Sequence, residues 1–191
     1  MNSEYFVSSF LTSESIDRRA KFQAGNRRDV LAKDLLRARQ QTDALFNLLS
    51  SDGLFARPIA ERHRLIFYVG HLEAFDFNLL CKTIQKQLPL SDRFENLFAF
   101  GIDPIDGQLP SDQPSDWPSM DELSPWIRAT REAVDDVIHT AAFHGWLEQG
   151  WAIQMAIEHR LMHAETLCYL LQRLPHPLKL KPDGPTWEPE T

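Results

Sequence analysis

Apolar positions recur along this chain with helical spacing. Leu31, Leu35, Ala38, Thr42, Leu45 and Leu49 follow one another at steps of four and three, which predicts a helix with one buried stripe. Ser50-Ser51-Asp52-Gly53 supplies its stop. A second helix is predicted from about residue 60 to 86, nearly all apolar between 65 and 80 and so buried on more than one face, with Pro89 ending it. A third opens with Ser124 as N-cap and Pro125 at its first position, and carries Ile127, Thr130, Val134, Val137 and Ala141 on one side. Gly145 lies just past its end. The fourth runs from about residue 147 to 174, where Pro175 and Pro177 forbid continuation. No segment alternates as a half-buried strand does, and no internal repeat is present.

The joints between these helices differ in length. The first and last connections are short, which favours antiparallel neighbours. The middle one, residues 88–124, is long and contains Pro104, Pro110, Pro114 and Pro118. It can carry the chain back across the bundle, so the second and third helices can run parallel. The spacing thus predicts an all-α four-helix bundle, up-down-down-up by preference, with up-down-up-down left open. Phe98, Phe100 and Trp117 predict that the long loop is ordered against the bundle. Its Asp103, Asp106 and Gly107 lack the alternating acidic spacing of a calcium loop. The organisation expected is an N-terminal extension over residues 1–26, the bundle over 27–175, and a proline-rich tail or linker over 176–191.

Composition narrows the function classes. The 191 residues, 43% hydrophobic and 25% charged, fit one globular domain with tails. The formal charge of −7 argues against nucleic acid, which selects clustered Lys and Arg. The one basic stretch, between Arg18 and Arg28, reads as a solvated start to the first helix. No apolar run reaches membrane-spanning length, and the first residues lack the pattern of a signal peptide, so a cytoplasmic location is expected. Cys81 and Cys168, each among apolar neighbours, are expected to be reduced and mostly buried.

Candidate chemistry centres on Glu158-His159-Arg160-Leu161-Met162-His163. Residues four apart on a helix are turned by roughly 40° and displaced by about 6 Å, so both imidazoles can reach one ion. The zinc-protease motif is excluded, because Arg160 stands where its glutamate base would be. His71 lies on the second helix between Phe67 and Phe75, one turn away on either side, and Gly70 beside it allows another helix to approach. Three imidazoles that converge from two helices suit a shared ion, and a hydrogen-bonded core histidine is the alternative for each taken singly. Glu73 and Glu165 turn roughly 160° away from their neighbouring histidines and are expected to form salt bridges elsewhere. Asp76 and Glu158 are further acidic groups close to the histidines in sequence. His63 reads as a polar residue at a helix end; His139, His144 and His176 form no constellation; Cys168 is expected to pack in the core.

Phe67-Tyr68-Val69-Gly70-His71-Leu72-Glu73-Ala74-Phe75-Asp76 and the stretch from Glu158 to Leu167 resemble the DinB-like (DinB/YfiT) superfamily. They are similar in particular to the N-terminal domain of ergothioneine-type nonheme-iron sulfoxide synthases. Phe100-Gly101-Ile102-Asp103-Pro104 and Pro114-Ser115-Asp116-Trp117-Pro118 share the likeness, which covers roughly residues 27–175. The resemblance implies an up-down-down-up four-helix bundle with His71, His159 and His163 as ligands to a divalent metal, iron, zinc or nickel. It also implies a small thiol substrate and a separate formylglycine-generating-like partner domain, which in the synthases follows near the point where Pro185-Thr186-Trp187 stand here. Arg160, Leu161 and Met162 depart from the polar residues those enzymes carry between the paired histidines. A self-sufficient metal-dependent thiol transferase and a non-catalytic structural bundle are the other readings, and a homodimer is left open.

Overall fold

The computed structural model describes residues 13–99, 109–142 and 145–181, with side chains from residue 27 onward except that of Trp146. Among these are six α-helices and no strand: α1 (Ser13–Phe46), α2 (Ser51–Leu54), α3 (Leu65–Asp76), α4 (Asp92–Ala99), α5 (Met120–Thr140) and α6 (Trp151–Arg173). A π-helical segment, Phe77–Ile84, continues α3 directly. A single isolated bridge pairs Leu49 with Lys179.

Several boundaries depart from the predicted ones, each for a local reason. The backbone of α1 is helical from Ser13, so the helix takes in part of the expected N-terminal extension. Ser50 follows the end of α1 as expected, yet it also starts a new turn, its hydroxyl accepting the Gly53 N–H at 3.1 Å to cap α2. The second long helix begins at Leu65 rather than near residue 60. Before it the chain turns, and Leu65 donates its N–H back to the Ala56 carbonyl. In α5 the start is Met120 instead of the Ser124-Pro125 pair, because Ser119 and Glu122 form a reciprocal capping box. Two backbone donors are satisfied that way, whereas Pro125 at a first position would only have avoided a loss. Pro125 sits inside the helix, exposed, opposite an Asp121 that is also exposed, so the carbonyl it leaves unpaired is open to water. α6 starts at Trp151, after a 3-10 turn in which Gln149 and Gly150 take positive φ. A Cβ at Gly150 would collide with Leu31, so the turn brings α6 hard against α1.

The long connection holds a helix that its prolines concealed. Phe94 and Phe98, one turn apart on α4, are buried, and Trp117 is buried beyond them. The Trp117 indole N–H donates to Asp112 at 2.7 Å, and Asp112 in turn pairs with Arg57 and Arg64. The connection is therefore tied to the helices where it is described; Phe100, Asp103, Asp106 and Gly107 lie outside the described residues.

Side-chain pairs fix how the long helices meet. Between α3 and α6, Tyr68 faces His163 and Phe75 faces His159. Between α1 and α5, Arg28 reaches the Ala141 carbonyl, Arg39 reaches Asp135, and Asp43 meets Arg131. The apolar core falls into two clusters. One gathers around Leu65, Phe98, Trp126 and Leu170, the other around Leu35, Phe77, Val134 and Ile153. Between them lies a buried polar layer of Arg39, Thr42, Glu73, Asp76, Thr130 and Arg160.

Candidate metal centre

α3 is apolar on nearly every side, and His71 is its one imidazole. Phe67 stacks on it at 4.7 Å between ring centroids. On α6, His159 and His163 stand four residues apart, their centroids separated by 4.5 Å. Each lies 5.1 Å from the His71 ring. One ring nitrogen from each of the three falls within 4.8 Å of the others. A tetrahedral ion with metal–nitrogen bonds near 2.0–2.1 Å sets its ligands roughly 3.3 Å apart, so the rings need to close by at most about 1.5 Å. Among the described residues this is the one group of three or more His, Cys, Asp or Glu side chains with that convergence.

The sequence orients the rings before any ion arrives. The Nδ1 atom of His71 lies 2.8 Å from the Phe98 carbonyl. A carbonyl can only accept, so Nδ1 carries the proton and the Nε2 lone pair is left for an ion. This contact depends on Gly70. A Cβ there would lie 2.5 Å from atoms of the Phe98 ring, so glycine is what lets α4 rest on α3. Phe75 stacks face to face on His159 at 3.6 Å and 11°, holding that ring as Phe67 holds His71. The Nδ1 atoms of His159 and His163 are buried without a hydrogen-bond partner, which leaves each of these imidazoles with an unused nitrogen.

Burial, reinforced by the neighbouring imidazoles, pushes His159 down to about 3 and His163 down to about 4. His71 is also lowered by burial, with the Phe98 carbonyl opposing in part. All three are therefore neutral at pH 7, the form that ligates an ion. The donor set fits a divalent metal.

Arg160, between the paired histidines, points the other way and is fully buried. It donates to Asp76 at 2.7 Å and to Glu73 at 2.8 Å. Glu73 accepts from Arg131 at 2.7 Å, and Arg131 grips Asp43 with two nitrogens, at 2.7 and 2.8 Å. The chain of charges Asp76–Arg160–Glu73–Arg131–Asp43 thus crosses α3, α6, α5 and α1. Burial works to raise the Glu73 carboxyl, but Arg160 and Arg131 outweigh it and hold it below the usual range. Burial pushes Asp76 up to about 6 in spite of Arg160.

The expected salt bridge of Glu73 is present, to arginines of two other helices. Glu165 and Glu158 are exposed, the latter accepting from Gln154 at 2.9 Å. His63 stacks on the far side of Phe67 at 4.2 Å and does not join the three. His139 and His176 are exposed, and His144 lies outside the described residues. Cys81 is buried as expected, its thiol pushed up to about 12 by burial and nearby carboxylates. Cys168 is exposed, which corrects its expected place in the core. Its apolar neighbours misled, because adjacent helical residues are turned by about 100° and Leu167 faces inward while Cys168 faces out.

Sequence reasoning did not find the Phe98 carbonyl or the role of Arg160. The first is a backbone atom and leaves no side-chain signature. The second had one: an aspartate inside the apolar stretch of α3 demands a buried cation.

Substituting Gly70 by alanine is expected to cost about 1–3 kcal/mol through overpacking against Phe98. Because the His71 contact moves with Phe98, metal affinity should also fall by roughly 10–100-fold. Thermal unfolding and titration against a competing chelator read the two effects separately.

Residues 34–167 match the DinB superfamily. Ergothioneine biosynthesis protein 1 of Neurospora crassa is 30% identical over 129 residues, covering 65% of this chain and 15% of that protein. The Schizosaccharomyces pombe protein of the same name is 30% identical over 138 residues, covering 64% of this chain and 17% of its own length. This chain therefore spans less than a fifth of either relative.

Proposed function

This chain belongs to the DinB superfamily, and from that membership we propose that it is a metal-binding domain holding one divalent ion on His71, His159 and His163. The convergence of three neutral, half-buried imidazoles carries this reading. Imidazole suits iron, zinc and nickel alike, so the donor set admits all three. The three ligands are uncharged, and when bound the ion supplies an uncompensated dipositive charge with open coordination positions, suited to binding a small thiol as its thiolate.

This chain's residues do the positioning. Phe98 holds the proton on His71 Nδ1, Phe67 and Phe75 hold two of the ring planes, and Tyr68 lies against His163. Arg160 brings a guanidinium close behind His159 and spends it on Asp76 and Glu73, away from the imidazoles. The helices form a four-helix bundle of α1, α3, α5 and α6 in up-down-down-up order, with the domain over residues 27–175. The residue pairs favour that order: numbering falls along α6 as it rises along α3, and falls along α5 as it rises along α1.

The names of the relatives and the small part of them that this chain matches favour a more specific role. The domain is the metal-bearing part of a sulfoxide-synthase-like enzyme, cytoplasmic, completed by a formylglycine-generating-like partner. Among the described residues no helix is long and apolar enough to cross a membrane. The test is elemental analysis of the chain purified without a polyhistidine tag, then offered iron, zinc and nickel in turn. About one ion per chain is expected for at least one metal. A chain that retains none of them after gel filtration overturns the reading.

A further inference from the structure

Apolar side chains from α1, α2, α3, α5 and the segment after α6 line a cavity of about 590 Å³: Phe46, Leu54, Val69, Met120, Ile127 and Leu180. Phe46, Leu54, Met120 and Ile127 are only half-buried and Leu180 is 51% exposed, so these residues keep apolar surface open. Cavities of this size, apolar with a few polar groups, are where small molecules bind. Val69 and Glu73, which α3 contributes, stand two positions before and after His71 and are turned about 160° from it. The cavity therefore lies on the side of α3 away from the histidine cluster, and it stands whether or not an ion binds there.

Charged residues join the lining, and most are spent on one another. Asp43 gives both carboxylate oxygens to Arg131, and Glu73 gives one to Arg131 and the other to Arg160. Arg131 in turn donates from Nε and from both Nη atoms to these two carboxylates. Arg128 is the exception. It is exposed, and among the described residues no hydrogen bond or ion pair holds it. A guanidinium on a flexible stem beside an open apolar surface attracts an anionic head, while the apolar surface takes the body. A cation finds no free carboxylate on this lining. We propose that the cavity between α1, α3 and α5 binds a small molecule with an apolar body and a single carboxylate, the carboxylate paired with Arg128 at the rim.

Octanoate, octanol and octylamine share one chain, differ in head group and test this. Each is titrated into the full chain carrying isotope-labelled methionine methyl groups, followed by NMR in chelator-treated buffer, so that no ion at the histidines takes up the carboxylate. Met120 lines the cavity, whereas Met155 and Met162 stand exposed on α6 and report unspecific adsorption. Octanoate should shift the Met120 signal saturably while Met155 and Met162 stay in place. It should bind about fivefold more tightly than octanol, the upper end of what an exposed ion pair supplies. Octylamine should bind more weakly than octanol. Arg128→Gln should bring octanoate down to the affinity of octanol and leave octanol unchanged. Leu180→Ser, on the exposed rim, should weaken octanoate and octanol alike. No saturable Met120 shift, equal movement of Met155 and Met162, octanol or octylamine binding as tightly as octanoate, or an Arg128→Gln chain that keeps the full preference each overturns the proposal. So does a Met120 signal that moves on dilution without any probe, which would give the cavity to a second copy of the chain.

Discussion

Replacing His163 by alanine is expected to abolish stoichiometric metal uptake and to lower affinity by more than about 100-fold. That exceeds the roughly 10–100-fold lost when only an outer hydrogen-bond partner of a ligand is removed. The three rings stand nearly equidistant, so His71→Ala and His159→Ala should behave alike, whereas His63→Ala should keep its metal. Elemental analysis and chelator competition at pH 7 decide it. A His163→Ala chain holding a full complement of metal would remove the assignment. The pH dependence has a fixed sign. In the fold His159 and His163 are depressed to about 3 and about 4, against about 6.5 for a free imidazole. The unfolded chain therefore binds more protons throughout that interval. The stability of the metal-free protein is full above about pH 6.5 and falls as pH drops toward 4. Urea unfolding at a series of pH values should show this slope. It should weaken when either histidine is replaced.

The second large effect concerns Arg160. Arg160→Met is expected to destabilise the fold by roughly 3–5 kcal/mol, because Asp76 and Glu73 are left buried with a partner removed. Glu73 keeps Arg131, so most of the penalty belongs to Asp76. Two comparisons separate this from simple loss of packing. Adding Asp76→Leu should restore much of the loss, since replacing both members of a buried pair by apolar residues is often neutral or better. The deficit should also narrow as pH falls, because a stranded Asp76 then takes up a proton. Denaturation midpoints of the single and double variants test both points, and a single variant costing under about 1 kcal/mol contradicts the network's role.

How much of this was legible in the sequence follows from what each feature is made of. Helical stripes such as Leu31–Leu35–Ala38 and Val134–Val137 are repeated local signals, and they located the long helices to within a few residues except at the start of α1, which reaches back to Ser13. The starts were less legible where two signals competed, as Ser119–Glu122 did with Ser124–Pro125. The π-helical widening after Asp76 has no local signature at all. Of the cluster, the histidines of α6 were visible as a pair, and their partnership with His71 required knowing that α3 and α6 face one another. α4 was hidden because the prolines around it read as one continuous loop, although Phe94 and Phe98 already stood one turn apart. With α4 hidden, the Phe98 carbonyl was hidden too.

The buried polar layer has a consequence for alignment. Two apolar helices can slide along each other with little penalty, since one leucine replaces another at the contact. Arg160 removes that freedom for α6. Shifted by one turn, its guanidinium would leave Asp76 and Glu73 and enter one of the apolar clusters on either side. The charges thus act as a register mark cut across otherwise interchangeable surfaces. His159 and His163, on either side of the mark by one and three residues, inherit their level opposite His71 from a pairing that touches none of the three rings.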